Sequence, residues 1–192
     1  TDTVEGFLIR TFSTLGLSSE STLDLMIAPK IDGVSINGTI NGKRLVRVQT
    51  RGDTEESVSV LGLDGIKIGQ EKAKIDFGIQ YEAFVTEPNR IKASEYLGLD
   101  RPYVSCRHAA AGITHRLSTM EDPELISYLS FYPIETDGLD MPYKDRMKYI
   151  QSFGRLPDDM INRQNIHGNL KSLMNQITEK MEEFSKKREY IS

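Results

Sequence analysis

The sequence predicts an α+β fold, antiparallel sheets flanked by helices, and three stretches carry that prediction. Asn41-Gly42 separates TI from KRLVRVQT, a two-residue hairpin signal because both residue types tolerate positive φ. Residues 75–82 alternate, with Ile75, Phe77, Ile79 and Tyr81 on one face and Asp76, Gly78, Gln80 and Glu82 on the other, as in a half-buried strand. Leu170, Leu173, Met174, Ile177, Met181 and Phe184 recur at helical spacing and form one apolar stripe, which reads as core packing.

The remaining elements follow in order. Phe7, Leu8, Phe12 and Leu15 give residues 4–15 a helical stripe, and Ser18, Ser19 and Ser21 mark a loop. Leu23, Leu25 and Ile27 then share the buried face of a first strand, predicted to run on to Lys30 and Asp32, which would project together from its other face. Residues 54–70 predict a helical start and then a glycine-rich approach to a strand. Residues 87–100 predict a short helix ending near Gly98, and YLSFYPI at 128–134 a core strand. Met147 and Ile150 place a helix over residues 143–153, stopped by Gly154.

At 192 residues, 38% hydrophobic and 27% charged, the composition is that of one globular domain, assigned to residues 1–192. No apolar run has the length of a membrane span and TDTVEGFLIR has no signal-peptide pattern, so a cytoplasmic protein with no membrane partner is expected. The single cysteine, Cys106, excludes an internal disulfide and a four-cysteine zinc site, and reads as a small buried residue. His108, His115 and His167 lack metal-ligand spacing, and no metal site is assigned. The net charge of −4 argues against a surface basic all over. Local clusters at Lys43, Arg44, Arg47 and Arg51, and at Lys186, Lys187 and Arg188, read as solvated faces; with DNA as substrate, either they grip its phosphates or another chain or domain supplies most of the affinity.

The chemistry concentrates in PKIDG at residues 29–33. A lysine amine attacks electrophiles only when unprotonated, and burial or cationic neighbours favour that form. Gly33 removes a side chain that would crowd a docked group. Arg51 and Asp53 flank a glycine in TRGD, where a guanidinium could take phosphate or ribose oxygens with parallel donors. Arg107 and Arg116, nine residues apart in RHAAAGITHR, could bracket an anion.

KIDG, TRGD and CRHAAAGITHRL stand in the order and approximate spacing of the NAD-dependent DNA ligases, and over most of its length the chain resembles their adenylation (nucleotidyltransferase) domain. That resemblance implies Lys30 as the nucleophile that takes AMP from NAD, with magnesium as cofactor, and Asp32 orienting the nucleophile or a metal-bound water. It implies Arg51 and Glu82 at the ribose, Arg107 and Arg116 at phosphates, and Tyr132, or Phe131 after a one-residue slip, on adenine. Nicked DNA is the implied substrate.

Three residues depart from the family pattern: Ala28 where an acidic residue is common, Gln80 for an arginine, and His108 for an asparagine. The resemblance also stops before the family's later strands, which predicts a domain truncated ahead of its C-terminal strands and a partner: a second ligase subunit or the remaining ligase domains. An ATP-dependent polynucleotide ligase or capping-type nucleotidyltransferase, and a noncatalytic ligase-derived binding module, are the alternatives.

Overall fold

A computed structural model describes residues 3–50, 57–158, 160 and 162–187. Arg51 and the rest of TRGD after Thr50 lie outside the described residues, as does Arg188. The architecture is mixed helix and antiparallel sheet, as the sequence predicts. The contacts cluster into two compact units, Thr1–Lys30 with Asp159–Glu189, and a unit built on Ile31–Asp158.

The first unit comes from both ends of the chain. α1 (Val4–Thr14) starts where the Thr3 hydroxyl accepts the Gly6 amide at 3.1 Å, with Glu5 in the first turn. β1 (Leu23–Ile27) pairs antiparallel with β7 (Gln164–Gly168), and α5 (Leu170–Lys187) follows, its first turn capped by Asn169 Oδ1 on the Ser172 amide. Leu8, Phe12, Ile166 and Leu173 form the core. The predicted stripes are wider than the buried ones: Phe7, Leu15 and Met181 are exposed. The small two-stranded sheet encloses the α5 stripe only near its N-terminal end, at Leu173, and the α1 stripe at Leu8 and Phe12.

The second unit is built on a five-stranded antiparallel sheet of order β4-β3-β2-β5-β6: Ile66–Lys67, Arg44–Thr50, Val34–Asn41, Phe77–Phe84 and Ser130–Asp137 respectively. The predicted hairpin is present, shifted by one residue. Asn41 pairs with Arg44, and the loop is Gly42-Lys43, with positive φ at Gly42 alone, the type II′ pattern. β3 carries a bulge against β2, where Arg47 adopts φ 55° and its amide donates to Asp64 Oδ1 at 2.5 Å.

β5 realises its alternation: Phe77, Ile79 and Tyr81 are buried and Gly78, Gln80 and Glu82 half-buried. Ile75 precedes the strand and is exposed. The Phe77 ring meets Phe153 edge-on at 5.2 Å, and the Tyr81 hydroxyl donates to the Phe153 carbonyl at 2.7 Å. The predicted strand at 128–134 begins later, at Ser130, because Pro123–Tyr128 forms a 3-10 turn. In residues 54–70 the described part holds no α-helix: Ser59 bridges to Gln49 and only a 3-10 turn forms at Leu61–Leu63.

Among the described residues three helices complete the unit: α2 (Glu87–Tyr96), α3 (Cys106–Ser118) and α4 (Tyr143–Ile150), the last running through a 3-10 turn to Gly154. α1, α2 and α3 end alike, the amide two residues past the cap reaching back to the third-last helical carbonyl: Leu17 to Phe12, Leu99 to Ser94, Glu121 to Arg116. The left-handed residue is Gly16, Gly98 and, at the end of α3, Met120.

Candidate functional site

Residues 28–32 form neither helix nor strand; β1 stops at Ile27 and β2 starts at Val34. Lys30 and Asp32 therefore do not extend a strand as the sequence predicts, although the alternation survives in burial. Lys30 and Asp32 are exposed, while Ile31 and Gly33 are buried. Lys30 closes the first unit and Ile31 opens the second, so the KIDG segment is where the chain passes from one to the other.

Within the second unit, two distant stretches converge on this segment. The Gly33 amide donates to Glu82 Oε1 at 3.0 Å, fastening the loop to β5. A Cβ on Gly33 would stand 2.2 Å from the Ala83 carbonyl oxygen, so only glycine lets loop and strand approach this closely. Arg107 Nη1 lies 2.8 Å from Asp32 Oδ1. These two side chains are 66% and 57% exposed, a setting in which an ion pair contributes only about 0–1 kcal/mol. Their significance is positional: guanidinium and carboxylate heads sit together at the surface, open to an anionic ligand.

Arg107 stands at the N-terminus of α3, started by Ser105, whose hydroxyl accepts the His108 amide at 3.2 Å and contacts His108 Nδ1 at 2.8 Å. The helix is pinned to α2 by a polar cluster. Arg90 grips the Glu87 carboxylate with a two-pronged contact and the Tyr103 carbonyl with its other terminal nitrogen, and Cys106 Sγ is 3.5 Å from Glu87 Oε2. The Arg90 hydrogen bond holds the Glu87 carboxyl below its usual range, and burial, then Glu87, pushes the Cys106 thiol up to about 11. Cys106 is fully buried, as the sequence predicts.

Across the sheet Glu82 is paired with Ser35 on β2 and Tyr132 on β6. Tyr132 is only 1% exposed and Phe131 is fully enclosed, so the predicted aromatic position lies within the packed interior beside Glu82. Arg116 is elsewhere. Nine residues of helix separate it from Arg107 by about two and a half turns, ~13.5 Å along the axis and on the opposite side. Arg116 Nη1 contacts Glu121 Oε2 at 3.3 Å, so the two arginines do not bracket one anion.

The polar face of β5 carries a further feature that sequence reasoning missed. A cleft of about 220 Å³ opens along the row from Glu82, lined by Asn37, Gly78, Gln80, Glu135, Thr136 and Asp137. Gln80 Nε2 donates to Ser35 Oγ at 3.0 Å, and the Arg146 Nε is 3.7 Å from Glu135 Oε1. Two carboxylates make this cleft repellent to phosphate and receptive to hydroxyl or amino donors. Its signal in the sequence was the alternation of VSINGTIN, which puts Ser35 and Asn37 on one face.

No family model matches the chain. Among curated proteins it is similar to one named DNA ligase from Gluconacetobacter diazotrophicus, 33% identical over 124 residues, 59% of this chain and 18% of that protein. Another, from Campylobacter lari, is 30% identical over 148 residues, 72% of this chain and 22% of that protein. A third, from Borreliella afzelii, is 25% identical over 126 residues, 62% and 18% respectively. The chain thus spans about a fifth of the length of the curated relatives it matches. Over more than half of its residues this chain is related to part of proteins named DNA ligase.

Proposed function

We propose that this chain carries the AMP-accepting lysine of an NAD-dependent DNA ligase, with Lys30 as the nucleophile. Lys30 Nζ attacks the α-phosphorus of NAD. A nitrogen–phosphorus bond forms as the phosphorus–oxygen bond to nicotinamide mononucleotide breaks, the amine proton passes to solvent, and lysyl-AMP results. The AMP then passes to the 5′-phosphate of nicked DNA, restoring the amine, and the adjoining 3′-hydroxyl displaces AMP as the nick closes.

One observation carries the reading. Asp32, Gly33, Glu82 and Arg107, drawn from three separated stretches of sequence, meet in one set of contacts immediately after Lys30, in a chain related to DNA ligases. Arg107 offers the charge for a phosphate of the dinucleotide and Glu82 an acceptor for ribose hydroxyls, while Tyr132, assigned to adenine by resemblance, backs Glu82 from the packed interior. Arg116 serves a different phosphate from Arg107, and Arg51 is assigned to the ribose region from the sequence alone. Asp32 has the hard oxygen chemistry that magnesium takes when one carboxylate is combined with substrate phosphates. Among the described residues no group of three or more His, Cys, Asp or Glu side chains could hold an ion, and the exposed Asp32 carboxylate would orient the nucleophile or a water held by magnesium. When bound, magnesium supplies neutralisation of charge on the transferring phosphoryl group.

The remaining ligase segments, on the same polypeptide or on a second chain, and nicked DNA as the substrate belong to this proposal. Incubation with NAD and magnesium, with ATP in parallel, followed by peptide mass analysis is the test. We expect an AMP adduct on Lys30 with NAD, and none in Lys30→Ala. An adduct formed only with ATP moves the chain to the ATP-using ligases and capping-type enzymes. Nucleotide binding with no adduct in either arm, even beside the rest of the ligase, supports a noncatalytic ligase-derived module, the reading that Ala28 keeps open.

A further inference from the structure

We infer that the hairpin end of the five-stranded sheet, where Lys43, Arg44, Lys67 and Lys72 gather, is a docking surface for the phosphate backbone of duplex DNA. The choice of DNA as the polyanion rests on the ligase reading; the surface itself does not.

Three segments separated in sequence bring these cations together. Arg44 of β3 and Lys67 of β4 are paired across the sheet. The Ile68 and Gly69 amides both donate to the Lys43 carbonyl, at 3.0 and 3.1 Å, and the Ala73 amide donates to the Gly42 carbonyl at 2.9 Å. The Lys72 side chain runs alongside Gly42, 3.9 Å from where its Cβ would be. All four side chains are exposed, and Lys74, also exposed, follows directly.

None of the four lies within ion-pair distance of a carboxylate among the described residues. Lys43 Nζ donates to the Gln70 carbonyl at 2.7 Å, and Arg44 to the Gly65 carbonyl. A carbonyl orients a cationic head without cancelling its charge. This concentration occurs in a chain with 24 basic and 28 acidic residues, so it is a local excess against an acidic background. The cations spread over an outer edge rather than converging on a cavity, which suits an extended polyanion contacted at several phosphates and not a single small anion. Ile75 is the exposed large apolar side chain in this neighbourhood, too little to insert into a lipid surface.

The test measures binding of the whole chain to a fluorescently labelled nicked duplex across a salt series. Lys67→Gln/Lys72→Gln removes two heads that make no structural hydrogen bonds, and adding Lys43→Gln removes a third. Each lost phosphate contact should reduce the slope of log K against log salt by about 0.9, with roughly a tenfold or greater loss of affinity for the triple variant. A control, Lys92→Gln/Lys148→Gln/Lys171→Gln, removes equal charge elsewhere and should bind nearly as the parent does. Unchanged slope and affinity in the double and triple variants, or equal loss in the control, overturns the inference. So does a loss confined to phosphatidylserine vesicles while duplex binding is intact.

The Lys30 adduct assay separates the two readings. An adduct with no effect of the patch variants defeats this surface alone, whereas a patch effect without any adduct upholds the surface and defeats the ligase chemistry.

Discussion

Two glycines show how the same nominal clash differs in cost. A Cβ on Gly33 would meet the Ala83 carbonyl oxygen at 2.2 Å, and one on Gly78 would meet Asp137 Oδ1 at 1.9 Å. The first obstacle is backbone locked in the β2–β5 ladder; the second is the tip of an exposed side chain that can rotate away. We expect Gly33→Ala to destabilise the protein by about 3 kcal/mol in urea unfolding, and Gly78→Ala by less than about 1 kcal/mol. A similar midpoint shift for both would mean that the loop at Gly33 yields where the structure shows no room. Gly33→Ala should also release Glu82 from the loop amide, so adduct formation on Lys30 should fall even at temperatures where the variant remains folded.

At the scale of elements, α3 is the part that holds Arg107 in place, and its two ends make separate predictions. At the C-terminus Met120 occupies the left-handed position with φ 57°, a conformation that costs a residue with a Cβ about 1 kcal/mol. Met120→Gly should therefore raise stability by about 0.5–1 kcal/mol, read as a higher urea midpoint. At the N-terminus Cys106 is buried with its thiol pushed up from 9.0 to about 11. The neutral thiol is the form the fold retains, while the unfolded chain loses its proton from about pH 9. The stabilisation is complete below pH 9 and is lost as pH rises toward 11. Unfolding midpoints between pH 8 and 11 should show an extra decline that Cys106→Ala lacks, and iodoacetamide should label Cys106 in the native chain only at the rate of local opening.

At the scale of the whole molecule, the chain leaves one compact unit at Lys30 and returns to it at Asp159, after building the other from Ile31 to Asp158. The β1–β7 pairing therefore closes a very long loop, and the small core of Leu8, Phe12, Ile166 and Leu173 must repay that entropy. Leu173 is fully buried, so Leu173→Ala should cost about 2–5 kcal/mol. Hydrogen exchange should show α1, β1, β7 and α5 losing protection while β2 and β5 keep theirs. Uniform loss across all strands would show that the two units unfold together.

How much of this was legible beforehand follows from the range of the interactions involved. Local pattern was enough for the helix at 170–187, the alternation of β5, the hairpin near Asn41 and the glycine that ends α2, because backbone propensity and period are properties of neighbouring residues. The hairpin loop slipped by one residue because Asn41 can pair as well as turn, and the cross-strand register decided for pairing. The resemblance singled out Asp32, Glu82 and Arg107 one motif at a time. That they touch depends on a strand, a loop and a helix start packing together, which no window of sequence contains. Spacing in the chain suggested that Arg107 and Arg116 face one anion, and helical geometry put them on opposite sides. The sequence by itself determined most of the helices and strands and nominated the residues proposed to carry chemistry; the tertiary structure alone decided which of them meet, because contacts between residues 33 and 82 or 32 and 107 arise only when long-range packing fixes the register between elements.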